Sequence, residues 1–387
     1  MMTTTAEYFR EMVPRQAAFF EQGAGTVAPC FITVLEVELS NYCNLACPFC
    51  YTRALKRKRG HLPFEAFERL VDHLDGKGLK PRISFSGDGE IFMHPRILDF
   101  VACAKSRRFH VQIITNGLLC TPDKSQALVD LGLDRVQFSL DSINPETYLR
   151  MRKPKSPTAG RNNFATAMRH ALEYARINYE AGEPTTISVM AVETSLNRGE
   201  LPDFRRFWES LPVHNVYVSP LYTLGGNAAR VFPEAEAAKY AGAVDDKPIC
   251  VCPFILMCIK SDGTVLACTH DSEAVYPLGN IIEDGPQIDV ERTVEIERLW
   301  NGERIQRLRE ALLRRDTAFF GSIALDCPTC NCPLGDGSIE AYRTGLNSPK
   351  VTKIWASMNK PRGRADKQDG KYRHLLELIE EFAPKRP

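Results

Sequence analysis

From residue 33 to residue 220, short apolar runs alternate with stretches whose apolar positions recur at helical spacing. The run 33–39, TVLEVEL, reads as a buried strand that ends at a cysteine-rich loop. Phe64–Leu74 has the period of a helix and precedes the apolar run Arg82–Phe85. In the same way Arg96–Ser106 precedes His110–Ile114, Lys124–Leu131 precedes Arg135–Leu140, Asn163–Tyr179 precedes Thr186–Ala191, and Leu201–Leu211 precedes Val213–Val218. Such a succession of strand–helix units predicts an α/β fold with a parallel sheet and helices outside it. Right-handed crossovers curl the units into a full or partial barrel, and the expectation is a partial (β/α)6 barrel.

Past residue 220 the pattern breaks. Residues 221–249 are rich in Gly and Ala and read as a bridge. A hairpin is predicted over Ile259–Ala267, turning at Asp262-Gly263, because Asp-Gly between apolar runs favours a tight turn. A helix follows over Ile296–Arg314, then a basic stretch from Lys360 to Lys371 and a closing helix over Tyr372–Phe382. The organisation expected is an N-terminal extension (1–32), a first domain (33–220), the bridge (221–249), a small cysteine-rich domain (250–340), and a basic tail with its helix (341–387).

Composition narrows the picture mainly through cysteine. A net charge of +1, with 25% charged residues, gives no global field for nucleic acid or membrane. No apolar run approaches the roughly 18 residues needed to span a bilayer, and MMTTTAEYFREMVPRQ has no apolar signal core. A cytoplasmic address is expected. The 13 cysteines cluster: three in 43–50, four in 250–268 and three in 327–332, with Cys30, Cys103 and Cys120 standing alone. Reduced thiols at such spacing indicate metal or redox chemistry before a disulfide framework.

Cys43-Asn-Leu-Ala-Cys47-Pro-Phe-Cys50 is C-x3-C-x2-C at the C-terminal end of the first strand, where strand–helix barrels place their active sites. Three thiolates can hold three irons of a cubane and leave the fourth iron open. The alternatives are a structural zinc site, which ordinarily uses paired C-x2-C units and four ligands, or three buried thiols.

The motif and its context resemble the radical S-adenosylmethionine (radical SAM) superfamily over roughly residues 33–220. The resemblance implies a [4Fe-4S] cluster on Cys43, Cys47 and Cys50, with SAM chelated through its amino and carboxylate groups to the open iron. It implies reductive cleavage to a 5′-deoxyadenosyl radical that takes a hydrogen atom from a substrate. Phe49 matches a position that packs near the adenine. Ser86-Gly87-Asp88-Gly89-Glu90, directly after the second strand, resembles the family's glycine-rich motif whose backbone holds the SAM amino group, although Asp88 interrupts the consecutive glycines. Thr115-Asn116-Gly117 ends the third strand as family members often do. Ser139-Leu140-Asp141 ends the fourth, with Tyr148 and Arg152 downstream. The resemblance gives Ser139 and Arg152 contacts to SAM's ribose or carboxylate. Met190, after Val189, fits an apolar contact beside the adenine. Ordinary turns, a surface charge at Arg152 and core packing at Met190 are the competing readings.

Cys250 and Cys252 precede Cys258, the Asp262-Gly263 turn and Cys268; Cys327-Pro-Thr-Cys330-Asn-Cys332 follows later. This ensemble resembles the SPASM/Twitch auxiliary-cluster domains of many radical SAM enzymes. The resemblance implies a fully ligated auxiliary [4Fe-4S] cluster on Cys250, Cys268, Cys327 and Cys330, with Cys252 as the rival of Cys250. No cysteine follows Cys332, which favours one auxiliary cluster over two. A zinc ribbon built from the same halves is the alternative. Four thiolates leave no open iron, which suits electron transfer.

The basic run Lys56-Arg57-Lys58-Arg59 reads either as an attractor of acidic substrates or as a solvated loop. Cys103, Cys120 and Cys258 are possible hydrogen-atom donors or small buried hydrophobes. Tyr222, Asn227 and Arg230 are possible pocket residues. The expected function is hydrogen abstraction from a small molecule (a sugar, aminocyclitol or nucleoside), leading to dehydrogenation, epimerisation or decarboxylation in natural-product biosynthesis. Few residues precede the first strand, too few for a leader-binding domain. A peptide- or protein-modifying maturase is the first alternative; a non-catalytic iron–sulfur or zinc scaffold is the second. A flavodoxin or ferredoxin is the expected electron donor.

Overall fold

The alternation of apolar and polar residues inside each strand decides how the sheet is faced. The computed structural model describes residues 4–29, 32–156, 162–223, 230–234, 242–282, 296–325, 327–328, 330–331, 339–340 and 369–382. Its strands are β1 (Val34–Val37), β2 (Arg82–Phe85), β3 (Val111–Thr115), β4 (Arg135–Ser139), β5 (Thr186–Val192), β6 (Asn215–Ser219), β7 (Leu256–Ile259), β8 (Thr264–Leu266) and β9 (Gly279–Asn280). Among the described residues these form one sheet in the order β6-β5-β4-β3-β2-β1-β7-β8-β9. β1 to β6 are parallel and pair in sequence order. The helices between them include α2 (Phe64–Gly76), α3 (Ile97–Ser106), α4 (Pro122–Asp130), α5 (Pro145–Met151), α6 (Asn163–Glu180) and α7 (Leu201–Glu209), with α1 (Thr5–Glu21) before β1. The sheet stays open, so the expected barrel is partial.

Leu35, Val37, Ile83, Phe85, Val111, Ile113, Val136, Phe138, Ile187 and Val189 are at most 1% exposed and join the core shared with the helices. Side chains alternate across a strand, so Glu36, Ser84, Gln112, Gln137 and Ser188 take the inner face. Register sets Glu36 beside Ser84, Ser84 beside Gln112, and Gln137 beside Ser188. The inside of the partial barrel is therefore polar where its outside is apolar.

The cysteine-rich segment is joined to the core by main-chain hydrogen bonding. β7 pairs parallel with β1, aligning Leu256 with Val34 and Cys258 with Glu36, and β8 and β9 continue the sheet antiparallel. The hairpin turns at Gly263, whose φ is +83°. At the other end α1 occupies part of the N-terminal extension. Thr4 and Glu7 form a capping box. The Tyr8 hydroxyl donates to the Ile32 carbonyl at 3.1 Å, and Thr5 Oγ1 accepts the His110 N–H at 2.8 Å.

The single helix expected over Ile296–Arg314 is instead two, Ile296–Trp300 and Glu303–Leu313. The break falls where the Asn301 side chain leaves the helix to bond Ala28, accepting from its N–H at 3.1 Å and donating to its carbonyl at 2.8 Å. Among the described residues no helix is long and apolar enough to cross a membrane. Asn227, Cys332 and residues 360–368 of the basic stretch lie outside the described residues.

Candidate active site

Residues 38–61 leave the end of β1 as a loop whose shape is fixed from three sides. At its base, Asn41 donates to the Lys58 carbonyl at 2.9 Å and accepts the Gly60 N–H at 2.8 Å. On the far side the Ala46 N–H donates to the Lys153 carbonyl at 2.7 Å. At its end the Thr52 hydroxyl donates to the Asp88 carbonyl at 2.9 Å. Between these anchors lie Cys43, Cys47 and Cys50, in one cluster with Leu45, Phe49, Met151 and Leu221. Cys47 is 6% exposed, and Cys43 and Cys50 are half-buried. Burial pushes the Cys43 thiol up to about 11 and the Cys47 thiol up to about 12; for Cys47 the Arg152 charge opposes the effect, and the Cys50 and Cys43 thiols add to it. The three cysteines thus share one largely apolar pocket.

The glycine-rich loop lies against this one. A Cβ on Gly89 would stand 2.1 Å from the Ser40 carbonyl oxygen, and one on Gly87, whose φ is +138°, would stand 2.8 Å from Glu38 Cβ. Only glycine permits that approach. The Glu90 N–H donates to the Tyr42 carbonyl at 2.8 Å. The Glu90 carboxylate is turned to the end of β3, accepting from the Thr115 hydroxyl at 2.7 Å and the Asn116 N–H at 2.8 Å. Asn116 in turn donates to Asn44 Oδ1, beside Cys43, at 2.8 Å. Ser86 donates to Glu36 Oε2 at 3.1 Å on the inner face.

At the end of β4, Ser139 is buried and Asp141 holds a left-handed φ of +65°. Asp141 Oδ1 accepts the Val192 N–H at 2.8 Å, and its Oδ2 lies 2.5 Å from Arg152 Nε. One carboxylate oxygen thus accepts a hydrogen bond and the other is ion-paired with Arg152. The guanidinium, 9% exposed, has Nη1 4.0 Å from Cys47 Sγ and Cζ 5.8 Å from the centre of the Phe49 ring. Arg152 is therefore no surface charge. Met190 is half-buried on β5, with Gln137 Nε2 3.4 Å from its sulfur.

The second thiol group assembles at the opposite edge of β1. Cys250, Cys252, Cys268, His270, Cys327 and Cys330 line one cavity. Burial raises the Cys268 thiol well above its ordinary range, and the thiols that add to this are Cys327, Cys250, Cys330 and, last, Cys258. Cys252 lines the same cavity while packing on the apolar cluster of Phe20, Val251 and Phe254. Asn331, next to Cys330, ties this loop to the end of the barrel: it donates to the Leu221 carbonyl at 2.9 Å and accepts the Thr223 N–H at 2.9 Å. Tyr222 sits with its ring 5.5 Å from that of His270.

Neither reading of the basic run fits its two arginines, whereas Lys56 and Lys58 are exposed. Arg57 is buried, its Nη2 3.0 Å from both Glu38 oxygens and 3.3 Å from Asp88 Oδ2, and Arg59 donates to the Asn41 and Thr52 carbonyls. These arginines build the site and are spent within it. Cys103 and Cys120 belong to the core on the helix side of the sheet. Glu36, Glu38, Lys260 and Asn331 went unnoticed in the sequence. The signal for the two glutamates was the alternation in Val34-Leu35-Glu36-Val37-Glu38.

The residue types suit the groups in question: three thiols on one loop beside a glycine cradle at the first site, and Cys250, Cys252, Cys268, Cys327 and Cys330 lining one cavity at the second. Sequence comparison agrees. The Radical SAM superfamily matches residues 37–194, and an iron–sulfur cluster-binding domain, SPASM, matches residues 250–333. The chain belongs to the radical SAM superfamily and carries a C-terminal SPASM domain. Those two domains indicate a SAM-binding [4Fe-4S] cluster, SAM itself and auxiliary iron–sulfur. A tungsten-containing aldehyde ferredoxin oxidoreductase cofactor-modifying protein of Pyrococcus furiosus is 28% identical over 216 residues, covering 56% of this chain and 57% of that one. The match thus spans little more than half of that relative's length. Mycofactocin maturase MftC of Mycobacterium ulcerans is 26% identical over 303 residues, 70% of this chain and 76% of its own. Streptococcus suis SuiB bound to precursor peptide SuiA shares the fold, with a TM-score of 0.53 at 14% identity over 91% of this chain and 78% of that one.

Proposed function

We propose that this protein takes a hydrogen atom from a peptide substrate as a maturase, using Cys43, Cys47 and Cys50 to hold the SAM-binding cluster and Cys250, Cys268, Cys327 and Cys330 to hold an auxiliary one. The observation that carries the reading is the three-thiol loop pressed against the Gly87–Gly89 turn, with Arg152 4.0 Å from Cys47 Sγ. When bound there, the cluster and SAM would supply the one-electron chemistry for taking a hydrogen atom. The chain's own residues do the rest. Gly87 and Gly89 let backbone approach the SAM amino group. Asp141 fixes Arg152 beside Cys47. Ser86, Ser139, Asn116, Glu90, Phe49 and Met190 frame the cofactor, and the polar inner face of Glu36, Gln112, Gln137 and Ser188 receives a polar substrate.

A small-molecule substrate was the expectation from sequence; a peptide is now favoured. The maturase relative covers 70% of this chain, so its likeness extends beyond residues 37–194. The fold shared with SuiB is one that there holds a precursor peptide. The small-molecule reading stays in the same test. Reconstituted enzyme is incubated without oxygen with SAM, dithionite and either a deuterated peptide pool or a pool of deuterated sugars and nucleosides. Label is expected in 5′-deoxyadenosine from the peptides. Label from the sugars or nucleosides alone transfers the assignment to small molecules, and no 5′-deoxyadenosine at all removes both.

The auxiliary site has its own expected outcome. In a Cys327→Ala/Cys330→Ala protein SAM cleavage persists while product falls by on the order of 10²-fold, since the substrate radical loses its electron partner. Product at the wild-type rate would end the redox role. A flavodoxin or ferredoxin delivers the first electron, and the cytoplasm, where thiols stay reduced, is the proposed location.

A further inference from the structure

Asp88 stands where the family's glycine run is interrupted, and all its polar groups are taken. Oδ2 receives Lys260 Nζ at 2.9 Å and Arg57 Nη2 at 3.3 Å; Oδ1 receives the Ser272 hydroxyl at 2.7 Å. Its N–H donates to Glu38 Oε2 at 3.0 Å, and its carbonyl accepts from Thr52 at 2.9 Å. Lys260 and Ser272 lie within the SPASM match, while Glu38, Thr52 and Asp88 lie within the radical SAM match. The same segment reaches Glu38 directly: Ser261 donates to Oε1 from its N–H at 3.1 Å and from its hydroxyl at 2.8 Å. The Lys260 and Glu38 side chains are each 1% exposed, so water cannot replace a lost partner. β7, which ends at Ile259, delivers Lys260 to this spot because it pairs in register with β1.

A glycine at position 88 would leave the Ser86 and Glu90 side-chain bonds and the backbone bonds in place but would remove every tie from this loop to Lys260 and Ser272. An aspartate there extends it with a charged arm that only the C-terminal segment and Arg57 grip. We propose that Lys260 and Ser272 are positioning residues for SAM: through Asp88 they set the backbone of residues 86–90, so that SAM affinity and the order of the β7–β8 hairpin are thermodynamically linked. The inference rests on the reading that this backbone holds the SAM amino group. Linkage is reciprocal, so SAM tightens the hairpin by the same factor with which the hairpin tightens SAM.

The test uses full-length protein reconstituted with iron and sulfide and left unreduced, so that SAM binds without turnover. Equilibrium dialysis gives the SAM dissociation constant for wild type, Lys260→Met, Asp88→Gly and the double variant, with thermal midpoints measured alongside. Lys260→Met is expected to weaken SAM binding about tenfold, within the range of site-to-site coupling. Because Lys260 acts through Asp88, adding Lys260→Met to Asp88→Gly should change the dissociation constant by less than about twofold. A stability role alone would move the midpoints and leave the cycle additive, which overturns the proposal. Hydrogen exchange on wild type needs no variant to fold: SAM should raise amide protection over residues 256–266, and unchanged protection overturns it as well. Wild type that binds no SAM removes the function reading and this inference with it, whereas wild type that binds SAM with an unaffected Lys260→Met removes the inference alone.

Discussion

Cys47→Ala protein, reconstituted without oxygen and reduced in the presence of SAM, forms 5′-deoxyadenosine on the order of 10³-fold more slowly than wild type, as expected when one member of an interdependent set is removed. Cys47 is the deepest of the three thiols, 6% exposed among Leu45, Phe49, Met151 and Leu221. The loop around it is held by main-chain contacts the substitution leaves intact, among them the Cys50 N–H to the Cys47 carbonyl at 3.1 Å and the Ala46 N–H to the Lys153 carbonyl at 2.7 Å. Alanine therefore removes a sulfur without removing the loop. Two thiols cannot hold a cubane in register, and iron content should fall with the rate. Cys103→Ala is the companion: its thiol is 7% exposed but lies on α3, in the helix-side core. It should cleave SAM normally. A Cys47→Ala protein that keeps more than about a tenth of the rate, a loss of under 1.4 kcal/mol in barrier terms, would show that this loop does not hold the cluster.

Arg57→Met should cost about 3–5 kcal/mol of stability, the range for breaking a buried ion pair from one side. The guanidinium, 7% exposed, meets both oxygens of Glu38 at 3.0 Å, Asp88 at 3.3 Å and the Ser272 carbonyl at 2.5 Å. Without it two buried carboxylates share Lys260 as their nearest cation. Lys56→Met, one residue away on an exposed side chain, should change stability by no more than about 0.5 kcal/mol. Urea unfolding of the two variants side by side makes the comparison; equal midpoints would mean that Arg57 is solvated as its sequence neighbours suggest.

The two variants also mark the limit of what the sequence discloses. The strand–helix alternation is local, written in spacing, and it anticipated the core elements closely: Arg82–Phe85 and the helix beginning at Phe64 start where the periodicity placed them. The cysteines were legible for the same reason, because their spacing is chemistry at short range. What escaped is long-range. That Lys260 meets Asp88 follows only from β7 pairing with β1, and no local pattern encodes which edge a strand will take. Arg57 looked like a member of a basic surface run because a buried cation carries no mark in sequence until its carboxylates are placed. α1 went unread although Thr4 and Glu7 form a capping box, a short-range signal that residues 1–32 did carry. The helix at Ile296 was drawn too long because Asn301 is tolerated in helices; its partner, Ala28, is remote in sequence.

The pairing of β1 with β7 has a consequence for synthesis. The two strands are separated by about 220 residues of chain. At roughly 5–20 residues per second, a ribosome exposes the outer edge of β1 for about 10–45 s before its neighbour emerges. During that interval the nascent sheet ends in an unpaired row of amides and carbonyls, a template that other chains can join. Yield in a heterologous host should therefore respond to growth temperature and chaperone supply, and a fragment ending after β6 would carry that bare edge permanently.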